Sequence, residues 1–191
     1  MSILSVTAPS GIGKSTFMKT FLEKVPESAL LTSTTTRAKR DTDLTWKNAS
    51  EYEHISVESF IELAESGAFL SVFGKEYGNR YGTKKELFFE ALRSDTIYLA
   101  GLFIPAAELF LEKAHEAGLS DRFFSVYLDL DDERERLRRL GSRGESSLVR
   151  FEPELERWRK LAKSSRVPFL FLDASHTPEV LVEETLQRIQ L

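Results

Sequence analysis

The residues best suited to chemistry lie near the start of the chain, in Ala8-Pro9-Ser10-Gly11-Ile12-Gly13-Lys14-Ser15-Thr16. Gly11 and Gly13 permit backbone angles, and a close approach, that a side chain would obstruct. Successive backbone N–H groups in such a loop turn inward and form an anion-binding concavity. The helix that follows adds its positive N-terminal end. Lys14 brings a charge that reaches β- and γ-phosphates, and Ser15 a hydroxyl of the kind that ligates magnesium. The segment matches the Walker A pattern, with alanine in place of its first glycine. It predicts that Pro9, Ser10, Gly11, Ile12, Gly13, Lys14, Ser15 and Thr16 hold the phosphates of ATP, with Ser15 as the metal ligand and Mg2+ entering with the nucleotide.

A second anionic site is predicted in Ser33-Thr34-Thr35-Thr36-Arg37-Ala38-Lys39-Arg40. Hydroxyls and cations gather there at the end of a strand, where α/β proteins place ligands. Arginine suits bidentate phosphate binding. With one phosphate loop already present, this segment fits an acceptor carrying its own phosphate.

These groups need a scaffold. Ile3 to Thr7 reads as a buried strand leading into the loop, and Phe17, Phe21 and Leu22 recur at helical spacing after it. Ala29–Ser33 reads as a second strand, and Arg37–Glu53 as an irregular polar segment. Helices are expected over Val57–Glu65, around Leu87–Leu92, and over Ala106–Ala117, Asp131–Leu140, Glu154–Lys163 and Pro178–Ile189. Strands are expected over Phe69–Phe73, Asn79–Thr83, Thr96–Ala100, Phe123–Leu128 and Pro168–Leu172. Alternation of strand and helix predicts an α/β fold, a parallel sheet flanked by helices. The hairpin-like stretch from Arg37 to Thr83 predicts a small lobe inserted after the second core strand.

Taken in order, these pieces resemble the guanylate kinase family. The matching segments are Ser5–Thr16, Ser33–Arg40, Glu51-Tyr52, Phe69-Leu70, Gly78-Asn79-Arg80-Tyr81-Gly82-Thr83 and Arg139-Leu140-Gly141-Ser142-Arg143-Gly144. The resemblance implies a P-loop nucleoside monophosphate kinase in a single domain. Its core would be 1–36, 84–140 and 153–191, its acceptor-binding lobe 37–83, and its lid 141–152. Carried over by position, Arg37, Arg40, Tyr52 and Tyr81 would hold the acceptor phosphate, with Ser33 and Thr83 also facing the acceptor. Lys14, Arg139 and Arg143 would be catalytic, the arginines closing from the lid, and Arg157 is the candidate for a third, with Arg150 or Arg159 as alternatives. Phosphoryl transfer asks mainly for positioning and positive charge, which this set offers.

The chain departs from the family at two places. Leu70 is followed by Ser71-Val72-Phe73-Gly74, where the family carries an acid that reads guanine; Lys75-Glu76 follows out of register. The strand end reads Leu99-Ala100-Gly101-Leu102, where the family carries aspartates. The expected reaction is ATP plus a nucleoside monophosphate, GMP first among them, to ADP and the diphosphate. Another phosphorylated acceptor such as ribose 1,5-bisphosphate, or a non-catalytic binding domain, are the alternatives.

Bulk properties suit one globular domain, with room for a small insertion. The 191 residues carry a net charge of −4, which is no electrostatic footprint for nucleic acid or a membrane surface. There is no cysteine, which removes disulfides and thiolate metal sites. No apolar run approaches a membrane span, and a cytoplasmic protein is expected. His54, His115 and His176 are scattered without metal-ligand spacing. Asp129 and Asp131 read as the acids that start the next helix, and nothing in the residues sets an oligomeric state.

Overall fold

The computed structural model describes residues 1–74, 78–141 and 154–189. The elements run β1 (Ile3–Thr7), α1 (Lys14–Lys24), β2 (Ala29–Leu30), β3 (Ser33–Thr35), β4 (Thr45–Trp46), β5 (Ala49–Ser50), β6 (Tyr52–His54) and α2 (Val57–Glu65). They continue with β7 (Phe69–Phe73), β8 (Tyr81–Lys84), α3 (Lys85–Arg93), β9 (Tyr98–Gly101), α4 (Ile104–Glu116), β10 (Phe123–Asp129), α5 (Glu133–Gly141), α6 (Glu154–Ser164), β11 (Leu170–Asp173) and α7 (Pro178–Ile189).

The core is a parallel sheet of order β11-β10-β1-β9-β2. Every residue of β1 is buried, as expected for a central strand covered on both faces. Alternation sends Leu4 and Val6 to one face, where they meet Phe17, Phe21 and Leu22 of α1 and Leu181 and Val182 of α7. Ile3 goes to the other face, against Phe88 and Leu92 of α3 and Ala107 and Phe110 of α4. Ser5 would be an orphan in this core, but its register partner is Ser125, and the two hydroxyls bond at 2.7 Å.

The inserted lobe is a mixed sheet of order β6-β3-β8-β7, with β3–β6 parallel and the other pairs antiparallel. The run from Ala29 to Ser33 is therefore two strands. β2 closes the core sheet and β3 opens the lobe sheet, so the chain changes sheet at Leu31-Thr32. Leu31 N–H still donates to Leu99 of the core at 2.8 Å, while the Thr32 hydroxyl already donates to Ser50 at 2.7 Å. The segment 37–53, expected to be irregular, contains the small hairpin β4–β5 and the start of β6. Its turn places Lys47 at φ 51°, a conformation that sequence alone gives little reason to expect of lysine. Helix α2 matches its expected bounds; the Ser56 hydroxyl accepts from Ser59 N–H at its start, and Gly67 follows it at φ 72°.

Candidate active site

The site lies where the carboxyl ends of β1 and β9 meet the lobe. Between β1 and α1 the chain turns through Gly11 at φ 86° and Gly13 at φ 113°, angles that a side chain resists. Gly13 is the cap of α1 and no side chain caps that end, so the first amides of the helix point into the loop. Gly11 is needed a second time for space. A Cβ there would come within 2.8 Å of Leu140 Cγ and 3.3 Å of Arg136 Cγ, because α5 lies directly on the loop.

Helix α5 also grips the loop by hydrogen bonds. Arg139 donates from Nη1 to the Ile12 carbonyl at 2.9 Å and from Nε to Glu135 at 2.8 Å. Arg136, fully buried, donates from Nη1 to the Ser10 carbonyl at 3.4 Å and is paired with Glu133. Sequence reasoning misses Arg136 because charge fills that helix. The usable signal is its position four residues before Leu140, on one helical face. The first turn of α5 is held by Asp132, whose carboxylate accepts from the N–H groups of Arg134 and Glu135. Asp129 and Asp131, expected to start this helix, instead bind Arg159 of α6. Nε meets both Asp129 oxygens at 2.8 Å, and Nη2 meets Asp131 Oδ1 at 2.5 Å.

On the side of the loop toward the lobe, Lys14 Nζ lies 3.8 Å from the buried carboxylate of Glu51. Beyond Glu51 the expected acceptor residues share one face of the lobe sheet. Register pairs Ser33 with Tyr52, Thr35 with Tyr81, and Ser71 with Thr83, and paired residues project to the same side. Ser33 and Thr83 hydroxyls are 3.5 Å apart. The Tyr52 and Tyr81 rings meet edge to face at 6.1 Å, and the Arg37 guanidinium sits 5.0 Å over the Tyr52 ring. Burial, and then the neighbouring Glu51 carboxylate, push the Tyr52 phenol's pKa far up, so it stays a proton donor. Arg37 is paired with Asp43 at 2.6 Å, and the Arg40 N–H donates to the same carboxylate at 2.9 Å, with the Arg40 side chain exposed. His54 Nδ1–H donates to the Arg37 carbonyl at 2.7 Å, while its Nε2 is 3.1 Å from Asp43, at ion-pair distance but outside hydrogen-bond geometry. Where the family's acids are missing, Phe73 and Phe103 meet edge to face at 4.7 Å.

On its other side the loop borders a cleft of about 280 Å³ lined by Gly11, Gly13, Phe17, Leu128, Arg139 and His176, among others. A larger hollow of about 350 Å³ on α6 is lined by Glu156, Arg157, Lys160 and Leu161 and shares no residue with the loop, so the chemistry is assigned to the former. Arg157 is exposed. Arg143 and Arg150, with residues 142–152 of the expected lid and Lys75-Glu76, lie outside the described residues.

The donor set for magnesium is small. Ser15 lies half-buried in the first turn of α1, and among the described residues no group of His, Asp and Glu side chains could hold an ion alone. One hydroxyl suits Mg2+ that arrives on phosphate oxygens and keeps several waters.

A glycine-turned phosphate loop ending in Lys14-Ser15, set at the carboxyl edge of a parallel sheet and faced by a small inserted sheet, defines a nucleoside monophosphate kinase, a phosphotransferase. Comparison with known proteins agrees. The guanylate kinase family model matches residues 1–172. The chain is 31% identical over 149 residues to the guanylate kinase of Trichormus variabilis, covering 78% of this chain and 71% of that protein. It is 29% identical over 166 residues to that of Caldanaerobacter subterraneus subsp. tengcongensis, covering 86% and 77%. A solved guanylate kinase from Anaplasma phagocytophilum has the same fold, with a TM-score of 0.69 at 18% identity over 98% of this chain and 84% of that one. The chain belongs to the guanylate kinase family. Among the described residues no helix is long and apolar enough to cross a membrane.

Proposed function

We propose that the protein transfers the γ-phosphoryl group of ATP, bound with Mg2+, to a nucleoside monophosphate, with GMP as the first acceptor to test. The observation that supports the reading is that Lys14 stands at the turn between β1 and α1 and faces the lobe through Glu51. Behind it are the amides of the phosphate loop; in front is the lobe face bearing Arg37, Tyr52 and Tyr81. Residues 9–16 hold the triphosphate, and the cleft beside Phe17, Leu128 and His176 takes the nucleoside end of ATP. Arg37 and Arg40, with the two tyrosines, take the acceptor phosphate, and Ser33 and Thr83 its neighbouring groups.

The chemistry follows from charge. In transfer, charge spreads over the equatorial oxygens of the moving phosphoryl group. Lys14 and Arg139 stand at the loop that holds it, and preorganised cations in a water-poor site stabilise such charge strongly. Arg143 and Arg157 are assigned to lid closure, which also keeps water from consuming ATP.

Acceptor choice is the open variable of this site. Among the described residues, the positions of the family's base-reading acids carry the Ser71 hydroxyl and the Phe73–Phe103 pair, and the carboxylate beside Gly101 is that of Glu51, turned to Lys14. That supports a second acceptor class, a phosphorylated sugar such as ribose 1,5-bisphosphate. The test is turnover of ATP and Mg2+ against GMP, dGMP, AMP, CMP, UMP, dTMP and ribose 1,5-bisphosphate. Preference for GMP supports the first reading, and preference for the sugar phosphate the second. No turnover with any of them, despite ATP binding, would remove both and favour a binding domain.

A further inference from the structure

We propose that Glu51 is a positioning residue for phosphoryl transfer: its carboxylate holds the Lys14 ammonium at the end of β9 and ties it to the acceptor-phosphate cluster. This deepens the kinase reading above and rests on it.

Glu51 is fixed from both sides. Its N–H donates to the Leu44 carbonyl at 2.8 Å, and its own carbonyl accepts from Ser33 N–H at 3.0 Å. The preceding carbonyl, of Ser50, accepts from the Thr32 hydroxyl at 2.7 Å. The side chain is therefore delivered to one place, and that place is nearly closed to solvent, with 5% of it exposed. A carboxylate so placed is costly unless it is paired. Lys14 is the cation it meets, at 3.8 Å.

Gly101 shows that the pair occupies a built space. A Cβ at position 101 would stand 2.8 Å from Glu51 Oε1 and 3.1 Å from Lys14 Nζ. The backbone of Gly101 is not in the left-handed region, so it is the occupied space, and not the turn, that requires glycine. The volume at the end of β9, next to Val6 of β1 in register, is filled by the carboxylate and the ammonium.

The pair also joins two sites. Glu51 is followed in the chain by Tyr52, whose ring carries the Arg37 guanidinium at 5.0 Å and touches Tyr81. A continuous path thus runs from the donor lysine through Glu51 and Tyr52 to the arginine of the acceptor cluster. Lysine has a flexible stem whose rotamer freedom is lost when its ammonium is held in one place. An anion that limits its freedom before the phosphoryl group arrives favours transfer more than binding.

The experiment uses Glu51→Gln, Glu51→Ala, Gly101→Asp and the double variant Glu51→Ala/Gly101→Asp in the full chain. Glu51→Gln and Glu51→Ala should lower kcat roughly 10- to 100-fold, the scale of a small misplacement of a catalytic group. Affinity for a non-hydrolysable ATP analogue should stay the same or tighten, because a negative charge has left the triphosphate's surroundings. Gly101→Asp alone should also lose activity through the collision with Glu51. The double variant, which returns a carboxylate from the neighbouring strand, should regain about 10-fold in kcat over Glu51→Ala. A merely structural Glu51 would weaken ATP affinity and urea resistance together and gain nothing from a carboxylate supplied by β9. Wild-type kcat in Glu51→Gln, or a folded double variant no better than Glu51→Ala, overturns the proposal. If the wild-type protein turns over no acceptor, the kinase reading fails by itself. Glu51 is then judged by acetic anhydride labelling of Lys14, read by mass spectrometry: several-fold faster labelling in Glu51→Gln upholds the pairing, and an unchanged rate ends it.

Discussion

Arg37 donates to Asp43 across 2.6 Å, so the arginine over Tyr52 meets the cleft already held by a carboxylate. Both side chains are largely buried, and Asp43 further accepts from the Arg40 N–H. Asp43 thereby closes the loop that carries Arg37 and Arg40, the two arginines proposed for the acceptor phosphate. Burial opposes its ionisation, but the Arg40 N–H, the Arg37 guanidinium and His54 outweigh that and hold its carboxyl below the usual carboxylate range. A depressed carboxyl contributes stability that is fully present above the unfolded pKa, about 4, and lost as pH falls through the lower folded value. Asp43→Asn should therefore cost about 1–3 kcal/mol at neutral pH, between the exposed and buried limits for an ion pair. The deficit should close in acid. Urea unfolding of both proteins across that pH range checks it; a deficit independent of pH would assign Asp43 a role through shape and not charge.

Gly11→Ala tests the phosphate loop without touching a charge. The φ of 86° and the 2.8 Å approach to Leu140 Cγ penalise a Cβ separately. Strain of the first kind costs on the order of 1–3 kcal/mol. ATP affinity should fall at least about 10-fold, since about 1.4 kcal/mol of distortion suffices. Adding Leu140→Ala should recover the steric part only, so stability rises while ATP affinity stays low. Full recovery of both, measured by calorimetric titration and urea unfolding, would show that φ at Gly11 is not constrained.

Legibility in the sequence tracked how local the cause was. The turn from β1 into α1 was legible, because Gly11 and Gly13 act within one short stretch of chain. Helix α2 was legible from Val57 to Glu65 because Ser56 and Gly67 mark its ends locally. The split of residues 29–35 between two sheets was not, since the decision lies with distant partners, Leu99 on one side and Ser50 on the other. The Arg37–Asp43 pairing was hidden for a related reason, because a loop read as irregular gives no register. Glu51 was visible only as half of a family motif. Its meeting with Lys14 depends on Gly101, far along the chain, having no side chain.

Lys14→Ala should abolish transfer, by roughly 100- to 1,000-fold or more, the scale for removing one preorganised charge-stabilising group. The loop amides are backbone groups and remain, so ATP should still bind, more weakly. Measuring kcat beside nucleotide affinity separates the two effects. Retained turnover would remove Lys14 from the mechanism, and with it the significance of its 3.8 Å contact to Glu51.

Two arginines of α6 make opposite predictions. Arg159 is committed, with both Asp129 oxygens at 2.8 Å from its Nε and the Leu130 carbonyl 3.2 Å from Nη2. It binds α6 to the end of β10, and Arg159→Ala leaves a partly shielded carboxylate without its partner. About 1–3 kcal/mol of stability should be lost, between the values for exposed and buried pairs. Arg157 is exposed, and among the described residues it has no hydrogen bond or ion pair. Arg157→Ala should leave stability within about 0.5 kcal/mol. An arginine stabilising a phosphoryl-transfer transition state is worth 10-fold many times over, up to roughly 1,000-fold or more. If Arg157 completes the lid, kcat should fall at least about 10-fold with no change in unfolding. Steady-state kinetics and urea melts on the two variants decide the matter. A stable Arg157→Ala with wild-type kcat passes the role to Arg150, while a kcat loss in Arg159→Ala exceeding its loss of folded protein would give Arg159 a part in transfer as well as in holding α6.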